Sequence, residues 1–124
     1  MEQKRIEEFE HDGKQFIYID LSNLSGNQDF AEITEVIKPA ISKYPKNSLY
    51  TITNIERVKI DTESKNFIGQ YLEHNKPYVK YGAIIGLDGI KKIMVSTMLK
   101  LSRRSNLLFA FSKEQAVELL LKQA

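Results

Sequence analysis

From residue 16 onward the apolar positions switch repeatedly between two-residue and three-to-four-residue spacing, which predicts strands alternating with helices. Phe16 to Leu21 is the first clear strand, with Ile17, Ile19 and Leu21 on one side and Phe16, Tyr18 and Asp20 on the other. Ahead of it, Arg5 to Glu10 is a charged arm joined through Asp12-Gly13, a pair suited to the positive φ angles of a tight hairpin turn, so the arm reads as an edge strand. After the breaker cluster Ser22 to Asn27, a helix is expected through Phe30, Ile33, Val36, Ile37 and Ile41, capped by Asn27 or Asp29. Pro39 removes a backbone donor inside it and predicts a kink or restart near Lys38.

Ser48 to Thr53 repeats the strand pattern, with an apolar side and a side carrying Thr51 and Thr53. Asp61-Thr62-Glu63-Ser64 opens a second helix, with Asp61 or Thr62 as cap and Phe67, Ile68, Tyr71 and Leu72 as its buried stripe. Pro77 to Gly86 then becomes a nearly unbroken run of small and β-branched residues, the signature of a strand covered on both faces in a parallel sheet. Gly86-Leu-Asp-Gly89 turns into a third helix, predicted to face inward with Ile90, Ile93, Met94, Thr97, Met98 and Leu101 and outward with Lys91, Lys92, Lys100 and Arg103. Ser102 to Asn106 is an exit loop and Leu107 to Phe111 a short buried strand. Ser112 to Gln115 is a capping-box pattern opening a last helix through Ala116, Leu119 and Leu120. The expected fold class is therefore α/β, a mainly parallel sheet of four to five strands with an antiparallel edge strand at its start.

A chain of 124 residues, 42% hydrophobic, suffices for one domain with one core. The absence of cysteine removes disulfides, thiolate metal sites and cysteine nucleophiles. A net charge of +2 from nearly balanced acids and bases does not make the concentrated positive field of a nucleic-acid binder. The start of the chain lacks the apolar centre of a signal peptide and no run is long enough to span a bilayer, so a cytoplasmic protein is expected.

The stretches Pro45 to Asn54 (PKNSLYTITN), Lys76 to Lys80 (KPYVK), Ala83 to Lys92 (AIIGLDGIKK) and Phe111 to Ala116 (FSKEQA) resemble the SpoIIAA-like family of STAS-related domains over nearly the whole chain. The resemblance implies a β-α superhelix as in anti-sigma-factor antagonists, with most helices on one face of the sheet. It implies no established activity. Antagonists of that type carry a phosphorylatable Ser or Thr at a helix start, in an Asp-Ser-Ser/Thr-Gly motif, and Asp61, Thr62 and Ser64 fall at the matching place. Phosphate there would add about −1.5 to −2 charges at a helix N-terminus. Glu63 stands where the motif has a second small residue and Ser64 where it has glycine, so the group reads either as a phospho-switch or as a plain helix cap.

Gly86, Asp88, Gly89, Lys91 and Lys92 form a glycine-bearing turn before positive charge, a candidate anion or ligand site, although Asp88 as a cap would repel phosphate and no dinucleotide or Walker motif is present. Lys91, Lys92, Lys100, Arg103 and Arg104 could meet an acidic surface or anionic lipid, or simply be a solvated face. His11 and His74 have no metal-ligand spacing and no nucleophile elbow occurs, so neither metal, cofactor nor catalytic centre is expected. Two roles remain. One is a protein-interaction module whose mixed sheet face, Phe16, Tyr18, Thr51 and Thr53, docks a partner or a second copy together with the start of the Asp61 helix. The other is a carrier of a small apolar ligand or lipid, with Met94, Met98, Phe67 and Tyr71 lining a pocket beside the sheet.

Overall fold

The computed structural model describes residues 4–101 and 104–123; the side chain of Ile90 lies outside that description, as do the positions assigned above to Ser102 and Arg103. The chain runs β1 (Ile6–His11), β2 (Lys14–Asp20), α1 (Gly26–Ser42), β3 (Leu49–Asn54), α2 (Thr62–Asn75), β4 (Val79–Ile85), α3 (Gly89–Leu101), β5 (Leu107–Phe109) and α4 (Lys113–Leu121). The five strands form one sheet in sequence order, β1 antiparallel to β2 and every later pair parallel. This is the expected α/β arrangement. The hairpin turn has Asp12 at φ 52° and Gly13 at φ 76°, both positive as a two-residue turn between twisted strands requires.

Side chains alternate across each strand, so the sheet has two separate apolar faces. On one, Ile17, Ile19, Leu49 and Ile84 meet Ile33, Ile37 and Ile41 of α1, Phe67, Ile68 and Leu72 of α2, and Val95 and Leu99 of α3. On the other, Phe16, Tyr50, Ile52, Ala83 and Ile85 meet Ala116 and Leu120 of α4. Ala83 and Ile85 on the α4 side are 1% and 6% exposed and Ile84 on the three-helix side is 6% exposed, so the strand predicted to be covered on both sides is covered on both sides. Gly82 permits that closeness, because a Cβ there would lie 2.5 Å from Leu107 Cδ2 and 2.6 Å from Thr51 Oγ1.

Three local expectations are corrected. Helix α1 runs through Pro39 without the restart that was one of the two expectations there, and Ser25 rather than Asn27 or Asp29 holds its N-cap position. Pro39 and Glu35, whose carbonyl loses its partner, are both exposed, so water can take the freed acceptor. Asp29 contributes from inside the helix instead, its carboxylate accepting the Ser25 amide at 3.0 Å. In α3 the buried stripe is Val95 and Leu99, while Ile93 and Leu101 are 69% and 81% exposed and Thr97 is exposed. Strand β5 is only half-buried, and Phe111, beyond its end, is 94% exposed.

Candidate functional site

The four residues predicted to form one mixed recognition face do not share a face. Parallel pairing sets Phe16 beside Tyr50 and Ile17 beside Thr51, so Phe16 and Tyr18 point toward α4 and Thr51 and Thr53 toward the three-helix layer. Phe16, Thr51 and Thr53 are buried at 0%, 4% and 6% exposure, and Tyr18 lies half-buried under the Lys113 ammonium, 4.7 Å from its ring centre. The sequence shows each strand's alternation but not the register between strands, and a shift of one residue exchanges the faces.

What the threonines build is a polar seam under α2. Thr53 Oγ1 and the Tyr71 hydroxyl are hydrogen-bonded at 2.6 Å, and Tyr71 also bonds Asn75, which is 3% exposed. Burial pushes the Tyr71 hydroxyl well above its ordinary pKa. At the end of α2, Arg104 donates to the Leu72 carbonyl at 2.9 Å and to Asn106 Oδ1 at 3.1 Å, capping the helix C-terminus with a cation that burial makes easier to deprotonate than usual. Arg104 therefore leaves the solvated basic set, in which Lys92 and Lys100 remain exposed. Among the described residues every buried side-chain polar atom has a partner, and the space left in the seam is about 20 Å³. The seam is filled structure.

Open space lies on the outer side of the same helices. Between α1 and α2 a crevice of about 270 Å³ is lined by Ile37, Phe67 and Tyr71, with Lys38, Gln70 and His74 at its rim. A second hollow of about 360 Å³ adjoins it through the shared residues Thr34, Phe67 and Gln70 and reaches Asn27 and Glu63 at the helix starts. The two make one groove along the helix pair, over a Phe30–Phe67 stack with ring centres 4.6 Å apart. Of the four residues expected to line a pocket beside the sheet, Phe67 and Tyr71 line this outer groove instead; Met94 and Met98 do not, and Met98 packs over Gly69. Thr34, Gln70 and Asn75, polar positions beside the apolar stripes, were the unread signal of this groove.

At its upper end stands the start of α2. Asp61 is the N-cap: its carboxylate accepts the Ser64 amide at 2.9 Å, while Ser64 Oγ accepts the Asp61 amide at 2.8 Å and donates to the Asp61 carbonyl at 3.1 Å. That donation from the Ser64 amide holds the Asp61 carboxyl below its usual range. Ser64, 1% exposed, is therefore committed to a capping box and is not presented for modification, whereas Thr62 in the first turn is exposed. The α3 turn is likewise closed by the chain itself, since Asp88 Oδ1 accepts the Lys91 amide at 2.9 Å and puts a carboxylate where an anion would sit. Gly86, at φ 83°, is needed for the chain path; Gly89 has open space around it, and Lys92 Nζ lies 5.3 Å from the Phe109 ring centre. The anion-site reading of Gly86, Asp88, Gly89, Lys91 and Lys92 thus gives way to a capped turn.

His74 Nδ1 lies 3.0 Å from Asn75 Oδ1, and His11 packs its edge on Phe16. Among the described residues no group of three or more acidic, histidine or cysteine side chains is placed to hold a metal ion, and no helix is long and apolar enough to cross a membrane. No protein-family model and no curated protein matches the chain.

Proposed function

We propose that this chain is a cytoplasmic, non-enzymatic binding domain of the SpoIIAA-like, STAS-related kind, which meets a partner protein along the groove between α1 and α2. The observation that carries the reading is the groove itself: an aromatic floor, Phe30 and Phe67, under a polar and partly exposed rim that reaches Glu63, the neighbour in sequence of the exposed Thr62. Apolar centres with polar rims suit interfaces that form and separate. Phosphate on Thr62 would add about −1.5 to −2 charges beside Asp61 and Glu63, enough to change which partner surface is accepted.

A second reading, a carrier of a small apolar molecule, is favoured by the crevice at Ile37, Phe67 and Tyr71, whose volume of about 270 Å³ exceeds the roughly 150 Å³ that accommodates benzene in a protein interior. Two exposed rim substitutions, Asn66→Arg and Gln70→Arg, separate the readings. In affinity capture from the source cells, a partner held by the wild type and lost by both variants supports the interaction module. Native mass spectrometry showing an added small mass that disappears in Thr34→Trp supports the carrier instead. Capture indifferent to both rim variants, with no added mass, sinks both.

A further inference from the structure

Strand β1 ends the sheet, and among the described strands it pairs with β2 alone. The Asp20 amide donates to the Arg5 carbonyl at 2.8 Å, which makes Arg5 and Asp20 a hydrogen-bonded pair. Such pairs alternate along an antiparallel ladder, so the backbone groups of Glu7, Phe9 and His11 turn toward β2 and those of Ile6, Glu8 and Glu10 turn away from the sheet. Helix α4 stands over β3 and β4, leaving a trough beside β1. This trough, about 480 Å³, has Phe9, Val117 and Leu121 as apolar lining and Glu7, Glu114 and Glu118 among its charged residues. Phe9 is held there by stacking on Phe16, ring centres 5.2 Å apart.

We propose that this edge receives an extended segment of a partner protein as a sixth strand, with alternating apolar and basic side chains. Pairing with the free groups of Ile6, Glu8 and Glu10 would place every second residue of the segment on the trough side, alongside Glu7, Phe9 and His11, and the residues between them on the other face, opposite Ile6, Glu8 and Glu10. The first set meets Val117 and Leu121 and is apolar. The second meets carboxylates and is Lys or Arg. On that second face Glu8 is already balanced by Lys43 at 2.9 Å, which leaves Glu10 with no ion pair to a described residue; on the trough side Glu7 is held by Lys113 at 3.1 Å, and Glu114 and Glu118 stand around the apolar lining. A second copy of this chain is a poor occupant, because two β1 edges would set their glutamates against one another.

The test uses the full chain, labelled for NMR, and a blocked peptide of sequence Lys-Val-Lys-Ile-Lys-Val-Lys, with a control whose lysines are N-methylated on the backbone. The expected result is slowed amide exchange at Ile6, Glu8 and Glu10 and shifted methyl signals from Val117 and Leu121, both absent with the methylated control. Glu10→Lys, at an exposed position, weakens binding about fivefold or more, while Lys100→Glu on α3 leaves it unchanged. Equal binding of the methylated control, indifference to Glu10→Lys, or shifts centred on the acids of α1 and α2 would each overturn the proposal.

Discussion

If Thr53 and Tyr71 form a buried polar pair, removing either hydroxyl must cost stability and removing both must cost less than the sum. The pair is short, 2.6 Å, with Thr53 6% and Tyr71 8% exposed. Tyr71→Phe leaves the Thr53 hydroxyl without this partner and removes the bond to Asn75, an expected loss of about 2 kcal/mol. Thr53→Val preserves shape and leaves Tyr71 its bond to Asn75, an expected loss of about 1 kcal/mol. The double variant should lose about 2 rather than about 3 kcal/mol, a coupling of about 1 kcal/mol. Urea unfolding monitored by circular dichroism measures all four proteins, and melting temperature should fall by about 3–5 °C per kcal/mol in a chain of this size. Were the threonines instead on a free recognition face, each substitution would stay within about 0.5 kcal/mol and the two would add. That outcome would refute the assignment of the faces.

Gly86→Ala is expected to cost about 2–4 kcal/mol in the same assay, since φ is 83° and the new Cβ would lie 2.6 Å from the Glu56 amide nitrogen and 2.9 Å from its Cα. Gly89→Ala, with nothing within 4 Å, should stay within about 0.5 kcal/mol, and a comparable loss at both sites would contradict the close approach at Gly86. Stability should also depend on pH at both ends. Glu8 is held below 4.5 by its hydrogen bond from Tyr44 and by Lys43, and Asp61 below 3.8 by the Ser64 amide, so their contribution is present above those values and is lost as pH falls through the lower folded-state values. Tyr44 is pushed up from 10.0 to about 12 by burial and by Glu8, so its contribution is present below about pH 10 and is lost as pH rises toward 12. Unfolding of wild type and Tyr44→Phe from pH 2 to 5 and from 9 to 12 checks this; parallel alkaline limbs would rule out a role for Tyr44.

The strands and helices were legible because each is written in local spacing, and the strongest reading, burial of Ala83 and Ile85, followed from a run with no polar side to expose. The capping box at Asp61 and Ser64 was half legible: the cap was named, but the reciprocal bond that removes Ser64 from the surface is geometry. Helix α3 shows the opposite case. Its apolar residues surround much of the helix, so spacing alone could not choose Val95 and Leu99 over Ile93 and Leu101 as the inward side. Arg104 was unreadable for another reason, since its partners, the Leu72 carbonyl and Asn106, are set by where α2 ends over the sheet.

By itself the order of amino acids determined an α/β chain with a hairpin entry, parallel strands and capped helices, because periodicity, turn residues and caps act within a few positions of one another. Only the tertiary structure decided which strand sides lie together, which polar residues are sealed inside, and where grooves remain. Those outcomes depend on inter-strand register and helix placement, set by packing between residues dozens of positions apart, and a one-residue change in register would have turned Thr51 and Thr53 to the other side of the sheet.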